Sequence, residues 1–198
     1  ESIARRNEDN AIEPALKDLK QSVRSVNQMF SSLLDLSKIE SGNVELRLGN
    51  VYLDALIQEI ATVFTEEARA KNLEIRIRTS GDNAIARVDG ILLHQSIMNL
   101  MHNALRYTKQ GGVLIAVRKR SKDWQIDVWD TGIGVAIEDQ NQIYSPFYRN
   151  EHAWRIDTAG HGLGLSVVAR CCKMMGCHYG FSSRLNRGSH FWLRVPSL

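Results

Sequence analysis

The stretch Ala159-Gly160-His161-Gly162-Leu163-Gly164-Leu165-Ser166-Val167-Val168, AGHGLGLSVV, places three glycines at every second position and runs straight into an apolar, helix-like segment. Glycine this dense means backbone that must bend sharply or let a ligand approach where a Cβ would clash. At the start of a helix that ligand is often a phosphate, because unpaired N–H groups and the helix dipole face it. Two familiar phosphate loops do not fit. No G-x-x-x-x-G-K-[ST] occurs, and the glycines are not spaced G-x-G-x-x-G after a buried strand, since Tyr148 to Asp157 is polar. A third kind of nucleotide site is needed, or none.

The 198 residues suffice for one good core and a small appendage. A net charge of +3, from 25 basic and 22 acidic residues well mixed along the chain, gives little support to nucleic acid or membrane as the main partner. The longest apolar stretches, around Ile91 to Leu93 and Leu163 to Met175, are broken long before a membrane-spanning length, and no signal peptide is recognisable. Cys171, Cys172 and Cys177 are odd in number and lack paired C-x-x-C spacing, so they read as buried reduced thiols, favouring a cytoplasmic setting. The chain opens on Glu1 without methionine, which reads as a piece of something longer.

Leu16, Leu19, Val23, Val26, Phe30 and Leu33 recur at alternating steps of three and four. This heptad seam on an otherwise polar helix needs an apolar partner, and the helix is expected to end near Ser41-Gly42-Asn43. A second helix is expected over Leu53, Leu56, Ile57, Ile60 and Phe64, then a strand in which Leu73, Ile75 and Ile77 alternate with charge. Asp89 is placed to cap a helix through Ala104, and Val113 to Val117 and Trp124 to Val128 form a hairpin around Lys119 to Asp123. Glu138 to Ala159 is long, polar and aperiodic, as functional or disordered loops are. A helix from Leu165 to Met175 and a hairpin from Tyr179 to Val195 close the chain. The order of elements predicts an α+β fold, a two-layer α/β sandwich with helices on one face of a mainly antiparallel sheet, preceded by the long heptad-patterned helix.

In ILLHQSIMNLMHNALRYT, Leu93, Ile97, Leu100 and Ala104 share one helical face, while Asn99, Asn103 and Tyr107 line up at i, i+4 and i+8 on another. Amide oxygens suit Mg²⁺, although the helix taken alone favours a plain solvated face. On the later strand Trp124, Ile126, Val128 and Asp130 share one side, so an aspartate ends an apolar row and must find a donor. Thr131-Gly132-Ile133-Gly134 follows with open backbone, as would suit a flat heterocycle with an exocyclic amino group. A strand-end aspartate before a turn is common in itself.

The four stretches NLMHNALRYT, DTGIGV, YSPFYR and GHGLGL stand in the order and at the separations of the ATP-binding domain of sensor histidine kinases, which the chain closely resembles. The resemblance identifies them as the N, G1, F and G2 boxes of the Bergerat-type nucleotide fold shared with gyrase-like and mismatch-repair ATPases. It covers about three-quarters of the chain, to the closing GSHFWLRVP. It implies ATP and Mg²⁺ as cofactors: Asn103 holding the metal, Asn99 supporting it, Tyr107 stacking on adenine and Asp130 accepting from the adenine amino group. Gly132, Ile133 and Gly134 would border the base. Gly160, His161, Gly162, Leu163 and Gly164 would end a mobile lid and wrap the triphosphate. Arg106, where many members carry lysine, would touch a phosphate; Tyr144, Phe147 and Tyr148 would pack the lid, with Phe147 at the nucleotide.

LLDLSKIESGNVEL is similar to the end of the second helix of the family's dimerisation and phosphoacceptor hairpin. The implied division is residues 1–42 for that partial hairpin, 43–50 for a linker and 51–198 for the catalytic domain. The implied function is the catalytic core of a two-component kinase, passing the γ-phosphoryl group of ATP to a histidine on a dimerisation helix, with a response regulator downstream and a homodimeric parent. None of His94, His102, His152, His161, His178 and His190 is followed by an acid and then proline, the acceptor context, so binding without self-phosphorylation is expected. Two departures stand out: Cys177 where the family often has a second glycine, and His161 where it often has a small hydroxyl residue. A gyrase-type hydrolase would need a glutamate one turn before Asn103, where Asn99 stands. An ATP-responsive module that transfers nothing is the remaining rival.

Overall fold

The computed structural model describes Val23, residues 45–150, Trp154 and residues 161–198. The heptad seam, apart from Val23, and Gly160 lie outside the described residues. Seven strands and three α-helices are described: β1 (Leu48–Tyr52), α1 (Leu53–Ala70), β2 (Glu74–Arg78), β3 (Ile85–Asp89), α2 (Gly90–Tyr107), β4 (Gly112–Arg120), β5 (Asp123–Asp130), α3 (Gly164–Met174), β6 (His178–Ser183) and β7 (Ser189–Pro196).

β2, β4, β5, β7 and β6 form one sheet in that spatial order, with β2 parallel to β4 and the other pairs antiparallel. Alternation along the strands turns Val113, Ile115 and Val117, then Trp124, Ile126 and Val128, then Phe191, Leu193 and Val195 to one face. These join Leu53, Ile57, Ile60 and Phe64 of α1, Leu93, Ile97 and Leu100 of α2, and Val167, Val168 and Cys171 of α3 in one core. Each large side chain withdrawn from water contributes about 1.5–3 kcal/mol, so these stripes fix which face each helix turns to the sheet. The two-layer sandwich expected from the order of elements is thus observed.

Two features differ from the sequence expectation. Leu48 to Asn50, assigned to a linker, belong to β1, which pairs with the unassigned strand β3 in a separate two-stranded sheet. Both strands are short and their alternation is weak, so periodicity does not reveal them. The outward face of β5 is also less open than alternation implies: Gln125 and Asp127 are only 3% and 1% exposed. Gln125 Nε2 donates to Asp127 Oδ1 at 2.6 Å, Arg118 Nη2 donates to the same oxygen at 3.0 Å, and His190 Nε2 lies 2.6 Å from it. Burial alone would raise the Asp127 carboxyl, but the bonds from His190, Arg118 and Gln125 outweigh it and hold the group below the usual range. The three cysteines are buried thiols outside any disulfide, and burial pushes the Cys177 thiol up to about 11.

Asp89 begins α2 as expected, and it does more. Its Oδ1 accepts from the N–H groups of Ile91 and Leu92 at 3.0 and 3.1 Å, while Oδ2 accepts from Arg47 N–H at 2.9 Å. One buried carboxylate therefore satisfies the open end of α2 and fixes the incoming chain beside β3. Asp89→Ala should lower stability by roughly 1–3 kcal/mol, combining a lost cap with an orphaned Arg47 N–H. Urea denaturation checks this: the midpoint should fall with little change in slope.

Candidate functional site

α2 runs beneath the sheet with Asn99, His102, Asn103, Arg106 and Tyr107 along one cavity. The i, i+4 spacing does what the sequence implied, since α2 is unbroken from Gly90 to Tyr107. Asn99 Nδ2 donates to Gln95 O at 3.0 Å, which turns Asn99 Oδ1 the other way, toward the start of α3. A Cβ built on Gly164 would lie 3.3 Å from Asn99 Oδ1 and 3.6 Å from the amide of Asn103. The first residue of α3 thus lies close to the two carboxamides, and a side chain there would have to shift the Asn99 amide by a few tenths of an ångström. Hard amide oxygens beside a helix N-terminus fit a hydrated Mg²⁺ carried on phosphates. Among the described residues no cluster of histidine, cysteine or carboxylate side chains offers a metal site of its own.

At the far wall, Asp130 ends β5 on the core side. Its Oδ1 accepts from Gly132 N–H at 2.8 Å and from Ser189 N–H, on the neighbouring strand β7, at 3.2 Å. Burial pushes the carboxyl up to about 6, against the opposing pull of the Gly132 and Ser189 hydrogen bonds. Such a group is poised to gain from one further donor. Ile133 N–H donates to Tyr107 O at 3.2 Å, so the glycine-rich turn is fastened to the end of α2, and Ile133, Gly134 and Val135 border the cavity. Gly132 does not line it, serving instead through its N–H.

His161, Gly162, Leu163 and Gly164 close the third side with Tyr148, Arg149 and Asn150. Gly162 has φ +68°, and a Cβ there would come 2.7 Å from the Phe147 carbonyl carbon. Glycine is required because the loop lies against the backbone of Phe147, whose N–H donates to Gly162 O at 3.0 Å. Phe147 itself has φ +64°, and its ring is exposed and outside the cavity. Phe147, expected at the nucleotide, thus does not line the cavity and touches its glycine loop through backbone alone, at Gly162. Tyr144 packs edge-on against Tyr179 and Phe181 of β6, at 5.0 and 5.8 Å between centroids. Tyr148 Oη donates to Asp139 Oδ1 at 2.6 Å, and Asn150 Nδ2 to Asp139 Oδ2 at 2.7 Å, so one carboxylate holds the segment that faces the glycine loop.

The sequence reading missed Val135, Ile143 and Phe191 as apolar walls, Ser189 as a partner of Asp130, and His102 beside Asn103. Burial lowers the His102 imidazole, which meets Phe64 edge-on at 4.7 Å. Ser189 was hidden because its role depends on the pairing of Asp130 with Ser189 across β5 and β7. His102 was open to detection, standing three residues after Asn99 on the same helix.

Residues 88–198 match the family described as histidine kinase-, DNA gyrase B-, and HSP90-like ATPase. The signal transduction histidine-protein kinase BarA of Escherichia coli (strain K12) is 29% identical over 188 residues, covering 91% of this chain and 20% of that protein. The chain thus spans about a fifth of the length of that relative. Full-length ShkA, solved in complex with AMPPNP, superposes with a TM-score of 0.74 at 29% identity, over 84% of this chain and 34% of that one. The catalytic domain of histidine kinase ThkA superposes with a TM-score of 0.67 at 26% identity, over 76% of this chain and 95% of that one. With its ordered glycine loops, its strand-end aspartate and its sensor-kinase relatives, the chain belongs to the histidine kinase-, DNA gyrase B- and HSP90-like ATPases.

Proposed function

We propose that this chain is the catalytic core of a two-component sensor histidine kinase, binding ATP with Mg²⁺ in the cavity between α2, α3 and the end of β5. The observation that carries this reading is Asp130, a carboxylate raised by burial at one end of a cavity whose other end presents two amide oxygens against the start of α3. The base would lie between Tyr107 and Ile133 with its amino group toward Asp130. Asn103, with Asn99 behind it, would hold Mg²⁺, which neutralises phosphate charge. Gly162 to Gly164 and the N-terminus of α3 would receive the phosphates, with Arg106 and His161 beside them.

In the transfer, an imidazole nitrogen of an acceptor histidine attacks the γ-phosphorus, the bond to the bridging oxygen breaks and ADP leaves. This chain's part is positioning and charge neutralisation. Asn99, an amide unable to take a proton from water, disfavours hydrolysis as the main activity. The working context we infer is cytoplasmic, in a homodimeric parent whose dimerisation region includes residues 1–42 and whose phosphoryl group passes to a response regulator. No described helix is long and apolar enough to cross a membrane.

Asp130→Asn should weaken ATP binding by roughly tenfold or more and erase preference over GTP, since a charge-assisted acceptor is lost. Calorimetric titration with ATP, ADP and GTP measures this, and equal affinities in mutant and wild type would contradict the adenine assignment. The same group sets a pH dependence. Because burial raises the carboxyl to about 6, the empty site is largely protonated below that value, so ATP affinity should fall as pH drops through about 6 and level off above it.

Asn103→Ala should remove most of the Mg²⁺ dependence of ATP binding, and Asn99→Ala much less. Titrations with and without Mg²⁺ separate the two variants. With γ-labelled ATP the chain alone should bind nucleotide and acquire no acid-labile label, whereas joining it to a complete acceptor hairpin should produce label. Label on the chain alone would misplace the acceptor. None on the joined protein, despite normal ATP binding, would favour an ATP-responsive module without transfer.

A further inference from the structure

The sheet face turned away from the helices carries a second, shallower cleft, at the turn between β6 and β7. Trp129, Ser182, Arg184, Arg187 and His190 line it. Arg184 and Arg187 are exposed, and no described acidic side chain pairs with either. The only carboxylate among the lining residues, Asp130, is occupied by Gly132 and Ser189. Trp129 is 43% exposed, yet it is held in place: its ring stacks on His190 with centroids 3.6 Å apart and planes 2° apart. His190 is in turn bonded to Asp127, which Arg118 and Gln125 anchor. An aromatic wall fixed in this way loses little side-chain freedom when something binds it.

The turn is also bound to the loop behind Asp130. Asn186 N–H donates to Ile133 O at 2.6 Å and Val135 N–H to Ser183 Oγ at 2.8 Å. Gln140 Nε2 bridges Val135 O and Ser183 O at 3.2 and 3.3 Å. At Gly134 the backbone of Arg184 leaves no space for a Cβ. Anything that grips the turn therefore acts on residues that border the front cavity.

We infer that this cleft docks an acidic segment of a partner protein, with carboxylates on the guanidinium groups of Arg184 and Arg187 and an apolar side chain against Trp129, and that docking changes nucleotide affinity in the front cavity. The coupling half rests on that cavity being the nucleotide site. A cleft this shallow cannot enclose most of a small ligand, which favours a protein segment. The cleft offers one exposed ring, Trp129, and not the run of aromatic platforms on which successive bases of a nucleic-acid strand would stack. Unneutralised guanidinium groups select carboxylates.

The test titrates the whole chain with a short capped peptide of glutamate and aspartate carrying one phenylalanine, read by tryptophan fluorescence and calorimetry, with oligo(dT) as a second arm. Peptide affinity should fall with salt and drop about tenfold or more in Arg184→Gln/Arg187→Gln and in Trp129→Ala. Circular dichroism and thermal melting of these variants should match the wild type, which keeps loss of binding distinct from loss of fold. Saturating peptide should shift the affinity for an ATP analogue about threefold or more, and the analogue should shift peptide affinity by the same factor. Absent peptide binding, equal binding in wild type and variants, or tighter binding of oligo(dT) would overturn the docking site. Peptide binding that leaves nucleotide affinity unchanged would overturn the coupling. Failure to bind nucleotide at all would overturn the nucleotide reading and the coupling with it, while the peptide arm would still decide the docking.

Discussion

A carboxylate on the core side of a central strand must be satisfied, and the way Asp130 is satisfied organises the whole front of the domain. Its hydrogen bonds to Gly132 and Ser189 tie the end of β5 to the turn that follows it and to the start of β7. The turn is then fixed on α2 through Ile133 and Tyr107. Three elements distant in sequence are held at one end of a cavity, and the desolvated carboxyl left there is pushed up to about 6. An apolar residue at this position would pack more comfortably and would have nothing to offer a polar ligand.

The opposite end of the cavity depends on closeness. Gly164 sits on the amides of Asn99 and Asn103, and Gly162 sits on the backbone of Phe147 and Tyr148. The alternate glycines Gly162 and Gly164 thus serve two contacts, one to the segment after Tyr144 and one to α2. That segment is itself held by ring packing on β6 and by the Asp139 carboxylate. Polar bonds and apolar anchors act together here, so the end beside Asn99 and Asn103 is shaped by loops and the end beside Asp130 by strands.

How much of this was legible follows from the range of each signal. Helices α1 and α2 and the β4–β5 hairpin are written locally, in the stripe through Leu53, Ile57, Ile60 and Phe64 and in the alternation of Trp124, Ile126 and Val128. Asn99, Asn103 and Tyr107 were legible for the same reason, since a helix converts spacing into alignment. Ser189 and Phe191 were not, because strand register decides what faces Asp130. The outward ring of Phe147 comes from its left-handed backbone, which no residue preference announces for an aromatic. Asp127 alternates with the apolar row of β5 and is buried all the same, because Arg118 and His190 of the neighbouring strands close over it. β1 and β3 were lost to their brevity.

The bond from Ser189 to Asp130 joins residues 59 apart in sequence. Its partner strands bracket the residues that close the third side of the cavity and all of α3. Closing a loop of that length costs entropy that only the finished β5–β7 pairing repays, whereas the β4–β5 hairpin closes over a few residues. During synthesis, the pocket must wait for the last strand to emerge, since a chain stopped short of β7 lacks the Ser189 bond to Asp130, the Phe191 wall of the cavity and part of the core beneath both.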